Sequence, residues 1–143
     1  MSTPRQHSGS CLCGAVTLSV EVESDEVAAC HCSLCRRWGG GPLLALEGAS
    51  SIDLVGEHNV TVYPSSEWAE RGFCRHCGTH LFYRLKSGEH HAVPVGLVDK
   101  GHGWHFASQI FIDEKPGYYT FANETHDMTG DQVIAAVIAG DKS

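Results

Sequence analysis

No stretch of this sequence stays apolar for long enough to cross a bilayer. The richest, AVPVGLV at 92–98, has the length of a buried strand. The first fifteen residues, MSTPRQHSGSCLCGA, lack the apolar segment of a signal peptide. Cationic residues are scarce as well: 10 Lys and Arg stand against 17 Asp and Glu, for a formal net charge of −7. That imbalance repels a phosphate backbone and argues against nucleic-acid binding. Internal repeats, low-complexity tracts, linkers and a Ser–His–Asp pattern are absent, and Gly39–Gly41 is too short to form a phosphate loop. What remains is a globular chain of 143 residues with 42% hydrophobic and 19% charged residues, most simply one domain. A mobile N-terminal tail is expected over 1–10, a single domain over 11–143, and a cytoplasmic location.

Strand signals dominate. VTLSVEV at 16–22 alternates strictly, with Val16, Leu18, Val20 and Val22 on one face. LLALE (43–47), SIDLV (51–55), VTVYP (60–64), THLFYRL (79–85), HAVPVGLV (91–98) and SQIFID (108–113) are further strand candidates, broken by Gly, Pro and Asp. Pro42, Pro64 and Pro94 fit strand ends or edges. Only the C-terminus reads as helical. Thr129 and Gln132 make a capping box, Val133, Ile134, Val137 and Ile138 share a face, and Gly140 is placed to end the helix. The fold class expected is therefore mainly β with a short C-terminal helix.

Cysteine is the residue in excess, and seven is an odd number that excludes a fully paired disulfide framework. In a reducing compartment, clustered thiols point to metal or catalysis. They fall into CLCG (Cys11, Cys13), CHCSLC (Cys30, Cys32, Cys35) and CRHCG (Cys74, Cys77). Structural zinc takes four tetrahedral ligands, commonly two close pairs, and the outer groups supply such pairs, each beside a glycine, Gly14 or Gly78. The middle group then offers three ligands and an open place, the arrangement of a catalytic zinc. Three thiolates weaken the metal as a generator of hydroxide and suit the binding of another thiol, which ionises there to the nucleophilic form. Thiol addition to a carbonyl is the chemistry that follows.

CLCGAV, CHCSLCRR, GFCRHCGTHLF and IFIDEKPGYY closely resemble the glutathione-dependent formaldehyde-activating enzyme family, which also takes in relatives of centromere protein V. The resemblance runs from about Gly9 to Ala136. It implies a zinc-binding β fold of the β-tent type with two Zn²⁺ per chain. It also implies a structural zinc on Cys11, Cys13, Cys74 and Cys77, and a catalytic zinc on Cys30, Cys32 and Cys35. The implied activity is a carbon–sulfur lyase reaction that joins glutathione, or a similar thiol, to formaldehyde as S-hydroxymethylglutathione.

Other readings stand beside these. The middle group can be a second structural site closed by a histidine or carboxylate, with His31, His76 and His90–His91 nearest; His31 and His76 are expected to point outward between ligands. Arg36 and Arg37, or Arg71 and Arg75, can hold the carboxylates of a thiol cosubstrate or simply be solvated. Trp38 with Gly39–Gly41 is either a pocket wall or a packed turn. Trp68, Phe73, Phe82, Tyr83, Trp104, Tyr118 and Tyr119 are most simply core or sheet surface. A non-catalytic zinc-binding interaction module is the alternative to an enzyme, and a zinc or thiol carrier a third reading. The partners expected of the enzyme are a small-molecule thiol and aldehyde, with no nucleic acid and no membrane.

Overall fold

The computed structural model describes residues 5–47, 49, 51–88, 90–98 and 100–138. They form eleven strands and two α-helices: β1 (Arg5–Ser10), β2 (Thr17–Val22), β3 (Glu26–Cys30), α1 (Ser33–Gly39), β4 (Leu43–Glu47), β5 (Ser51–Val55), β6 (Val60–Tyr63), β7 (Ala69–Cys74), β8 (His80–Leu85), β9 (His91–Pro94), β10 (His105–Ile110), β11 (His126–Met128) and α2 (Gly130–Ile138). The architecture is mainly β with a short C-terminal helix, as expected. Among the described residues no helix is long and apolar enough to cross a membrane. The chain divides into two compact units, Met1–Asp25 with Ala45–Trp104, and Glu26–Leu44 with His105–Ser143.

In the first unit, β2 lies between β1 and β5, antiparallel to both. Its alternation does what the pattern dictates: Leu18, Val20 and Val22, with Val16 just before the strand, are all buried. Each such side chain contributes about 1.5–3 kcal/mol by leaving water. The expectation of a mobile tail fails over Arg5–Ser10, where all six residues pair with β2 from Arg5↔Val22 to Ser10↔Thr17. RQHSGS carries no hydrophobic signal, so its order comes from backbone pairing and from the close seat of Gly9 on the Leu97 carbonyl.

The same unit holds an antiparallel run in the order β4, β9, β8, β7, β6. A register shift between Gly72 and Phe73 lets the consecutive Leu81 and Phe82 both be buried. The Phe82 ring lies where a Cβ at position 72 would sit, so only glycine fits there. HAVPVGLV is strand only to Pro94, and a 3-10 turn occupies Val95–Leu97.

The second unit is built on β3 and β11, each parallel to β10. Val27, Ala28, Ala29 and Cys30 are buried in succession, as expected of a parallel strand covered on both faces. SQIFID is shifted: the strand runs from His105 to Ile110, and Phe111, at φ 54°, turns the chain into a 3-10 segment at Ile112–Glu114. Helix α2 begins with the expected capping box: the Thr129 amide donates to Gln132 Oε1 at 2.8 Å and the Gln132 amide to Thr129 Oγ1 at 3.2 Å. Gly140, expected to end it, lies outside the described residues.

Candidate functional site

The outer cysteines meet within the first unit. Cys11 and Cys13 sit in the turn between β1 and β2, where Gly14 takes φ 82° and donates to the Cys11 carbonyl at 3.1 Å. Cys74 ends β7, and Gly78, at φ 77°, donates to the Cys74 carbonyl at 2.8 Å. A Cβ at either glycine would meet nothing, so left-handed backbone, not space, selects the residue. The two turns aim four thiols at one point. Cys13 Sγ lies 3.7 Å from Cys11 Sγ and 3.8 Å from Cys74 Sγ. A regular tetrahedron with Zn–S bonds of about 2.3 Å has S···S edges of about 3.8 Å. The donor set and its spacing therefore fit a four-coordinate zinc.

Thr79 joins the two turns. Its Oγ1 accepts from the Leu12 amide at 3.0 Å and lies 3.1 Å from Cys77 Sγ. Hydrogen bonds from the Thr79 hydroxyl and backbone amide, and from the Cys13 backbone, lower the Cys77 thiol to about 5, so it presents a thiolate at neutral pH. Thr79 follows directly on CRHCG, yet nothing in its position along the sequence distinguishes it from an ordinary strand-entry residue.

The middle cysteines meet within the second unit. Cys30 ends β3, Cys32 is the N-cap of α1, and Cys35 lies one helical turn on. The Cys32 thiol accepts from the Cys35 amide at 3.4 Å, so the cap itself brings the i and i+3 sulfurs together. The three Sγ atoms lie within 4.8 Å of one another, and the group they form contains no histidine or carboxylate among the described residues. Thiols this close share protons. Hydrogen bonds from Cys30 and Cys35 hold Cys32 far below the ordinary thiol range, and the same contacts, Cys32 first, push Cys30 far above it. A divalent cation satisfies all three as thiolates, so this set fits a metal with one place open.

Gly40, at φ 88°, closes α1 by donating to the Arg36 carbonyl at 2.7 Å, which makes the glycine run a helix end. The segment IFIDEKPGYY supports the same helix: Glu114 Oε1 accepts from the Ser33 amide at 2.9 Å. Lys115 Nζ donates to the Tyr119 carbonyl and lies over its ring.

His31 departs from expectation. It does not point outward but is fully buried, and neither ring nitrogen is available to close the cysteine group. Nδ1 lies 2.7 Å from the Tyr119 hydroxyl and Nε2 2.7 Å from Gln109 Oε1. The direction of the chain of bonds is set at its far end. The Asp127 carboxylate can only accept, from the Thr125 hydroxyl at 2.6 Å, and Thr125 Oγ1 accepts from Gln109 Nε2 at 2.9 Å. Gln109 Oε1 then accepts from His31 Nε2–H, and His31 Nδ1 accepts from the Tyr119 hydroxyl. The buried imidazole between Cys30 and Cys32 thus ties the cysteine segment to the Tyr119 phenol. By sequence Tyr119 is most simply core or sheet surface, and only its position inside IFIDEKPGYY sets it apart.

The remaining expectations divide. His76 is exposed and its Nε2 bonds Asn59 Oδ1 at 2.8 Å, while His90 Nε2 bonds Glu47 Oε1 at 3.1 Å. Arg71 is buried, with Nε on Ser65 Oγ at 3.2 Å and its guanidinium over Tyr83. Arg36 is half-buried and donates from Nε to the His31 carbonyl at 2.9 Å; Arg37 is exposed beside it in the last turn of α1.

Comparisons with known proteins give the family of the chain. An uncharacterized lyase of Schizosaccharomyces pombe is 34% identical over 134 residues, covering 93% of this chain and 98% of that protein. A crystal structure of a Rhodobacter sphaeroides protein superimposes with a TM-score of 0.55 at 31% identity, over 67% of this chain and 91% of that one. The sequence pattern of the glutathione-dependent formaldehyde-activating enzymes matches residues 6–114, which include all seven cysteines, and the chain belongs to that family.

Proposed function

We propose that the protein is a zinc-dependent carbon–sulfur lyase-type enzyme that joins a glutathione-like thiol to formaldehyde or a similarly small aldehyde. The observation that carries the reading is the middle group, three converging thiols with no protein fourth among the described residues. In this reading Cys11, Cys13, Cys74 and Cys77 hold a structural zinc, Cys30, Cys32 and Cys35 hold a second, and the chain works as one cytoplasmic domain. Zinc at the three-cysteine site would supply an open coordination place at which a thiol cosubstrate loses its proton.

The chain's own residues do the rest. In the reaction the sulfur lone pair forms the S–C bond, the carbonyl π pair moves to oxygen, and the proton lost by the thiol ends on that oxygen as the hydroxyl. The Tyr119 phenol is the proton-bearing group held nearby. Burial first, then Tyr118, keeps its pKa above the ordinary value, against the opposing charge of Arg36. His31, accepting from that phenol, fixes its orientation. Arg36 and Arg37, one and two residues beyond Cys35, are the cations proposed to receive the carboxylates of the thiol.

Exchange NMR of ¹³C-formaldehyde with glutathione tests the proposal by reading the rate at which the adduct forms and breaks. The zinc-loaded protein should raise that rate above the uncatalysed exchange, and Cys32→Ser should abolish the gain. An exchange rate indifferent to the protein would refute the catalytic reading and favour a non-catalytic zinc module.

A further inference from the structure

A third cluster of ligating side chains lies away from the cysteines, within the first unit. His7 comes from β1, Asp25 from the end of the segment that follows β2, and His102 from the segment before Trp104. One ring nitrogen of each histidine and a carboxylate oxygen of Asp25 lie within 4.8 Å of one another, and all three residues are half-buried. No local motif joins them, since 18 and 77 residues separate successive members.

Part of the cluster has an ordinary explanation. Asp25 accepts from Arg5 Nη1 at 2.9 and 2.7 Å, and its Oδ1 lies 2.9 Å from His102 Nε2. Those bonds account for the carboxylate and for His102. They leave His7 unexplained, because its Nε2 is buried without a hydrogen-bond partner, as is the neighbouring Trp104 Nε1. The Trp104 ring packs 4.6 Å from each histidine ring, so the strand and loop are held tightly around that nitrogen. A buried nitrogen left without a partner is destabilising unless something binds it. Burial, and then the charge of His102, hold the His7 pKa below the ordinary value, which favours the neutral ring that a metal ion requires.

We propose that His7, Asp25 and His102 form a binding site for a divalent first-row transition cation of the Zn²⁺, Co²⁺ or Ni²⁺ type, separate from both cysteine groups. Two neutral imidazoles and one carboxylate make a borderline N₂O donor set, which suits such ions and is too nitrogen-rich for Ca²⁺ or Mg²⁺. The cation takes the positive role that Arg5 and the shared His102 proton fill in its absence. The proposal does not depend on the catalytic reading.

The test uses protein already loaded with zinc at its cysteines, titrated with Ni²⁺ and followed by calorimetry and histidine ring NMR. One further equivalent should bind per chain, and the His7 and His102 ring signals should broaden before those of His58, His76, His90, His91 and His126. Losing only a group that hydrogen-bonds a metal ligand costs about 10–100-fold in affinity, so losing a ligand itself in His7→Ala should weaken binding by at least roughly 100-fold. Asp25→Asn keeps the shape and should also weaken it, which covers the case in which His7→Ala misfolds. Arg5→Ala removes the competing cation and should tighten it. No added equivalent, other histidines broadening first, or unchanged affinity in both His7→Ala and Asp25→Asn would overturn the proposal.

Discussion

Serine replacements at Cys74 and Cys32 separate the two cysteine groups, because the structure gives each thiol a different second role. Cys74 is fully buried at the end of β7, and its Sγ lies 3.8 Å from Cys13 Sγ across the meeting of two distant turns. A structural zinc in a small domain contributes about 10–16 kcal/mol. Whole domains are stable by only about 5–15 kcal/mol. Cys74→Ser removes one of four ligands and leaves a hydroxyl buried among thiolates, so the expected outcome is unfolded or insoluble protein.

Cys32 caps α1, and serine is itself a favoured N-cap, so Cys32→Ser should change helix stability by less than about 1 kcal/mol. That variant should fold, lose about one zinc per chain and lose activity. Circular dichroism melts with metal analysis on both variants decide the matter. Equal loss of structure in the two, or two zinc ions retained by Cys32→Ser, would refute the partition into a structural four and an open three.

Other consequences can be measured directly. His31→Ala removes one buried and one part-buried hydrogen bond and strands the Gln109 carbonyl, whose residue is 6% exposed; a loss of about 2–5 kcal/mol is expected by denaturant titration. Gly72→Ala drives a methyl into the Phe82 ring and should cost about 1–3 kcal/mol, seen as a lower Tm. The Glu47 hydrogen bond raises the His90 pKa, so the folded protein holds that proton more tightly than the unfolded chain. The resulting stabilisation is full below the unfolded value of about 6.5 and fades as pH rises through the folded one; Glu47→Gln should lower Tm more at about pH 5 than at about pH 8. Equal Tm losses at both would exclude the linkage. Replacing exposed Arg37 with Ala should weaken glutathione without weakening a small uncharged thiol, whereas Arg36→Ala should also loosen the His31 carbonyl it holds; binding titrations with both thiols distinguish the two.

The parts of the fold legible in the sequence are those whose signal is local and periodic. β2 alternates because one face is buried, β4 and β5 fall where their apolar runs fall, and the α2 capping box is spelled out by Thr129 and Gln132. β3 was invisible for the converse reason: a parallel strand buried on both faces has no alternation, and Val-Ala-Ala-Cys is too small and short to announce itself. β1 is polar throughout and exists because β2 offers it an edge. β7, AERGFC, hides a buried arginine and a glycine whose space belongs to Phe82.

The same distinction runs through the site. Cysteine spacing is a covalent constraint, so turns such as CLCG and CRHCG show their candidate ligands before any folding is considered, and the structure brings the cysteines together as a four and a three that could hold metal. The residues that orient those ligands carry no such mark. His31 sits between two cysteines, where alternation along an extended chain sends it to the opposite face. That face proved to be the interior, because β3 is buried from Val27 to Cys30 and Gln109 and Tyr119 from later segments supply the partners a buried imidazole requires. Outward from a ligand means toward solvent only on a strand with one covered face. His31 could therefore be placed only once β10 was known to lie parallel beside β3.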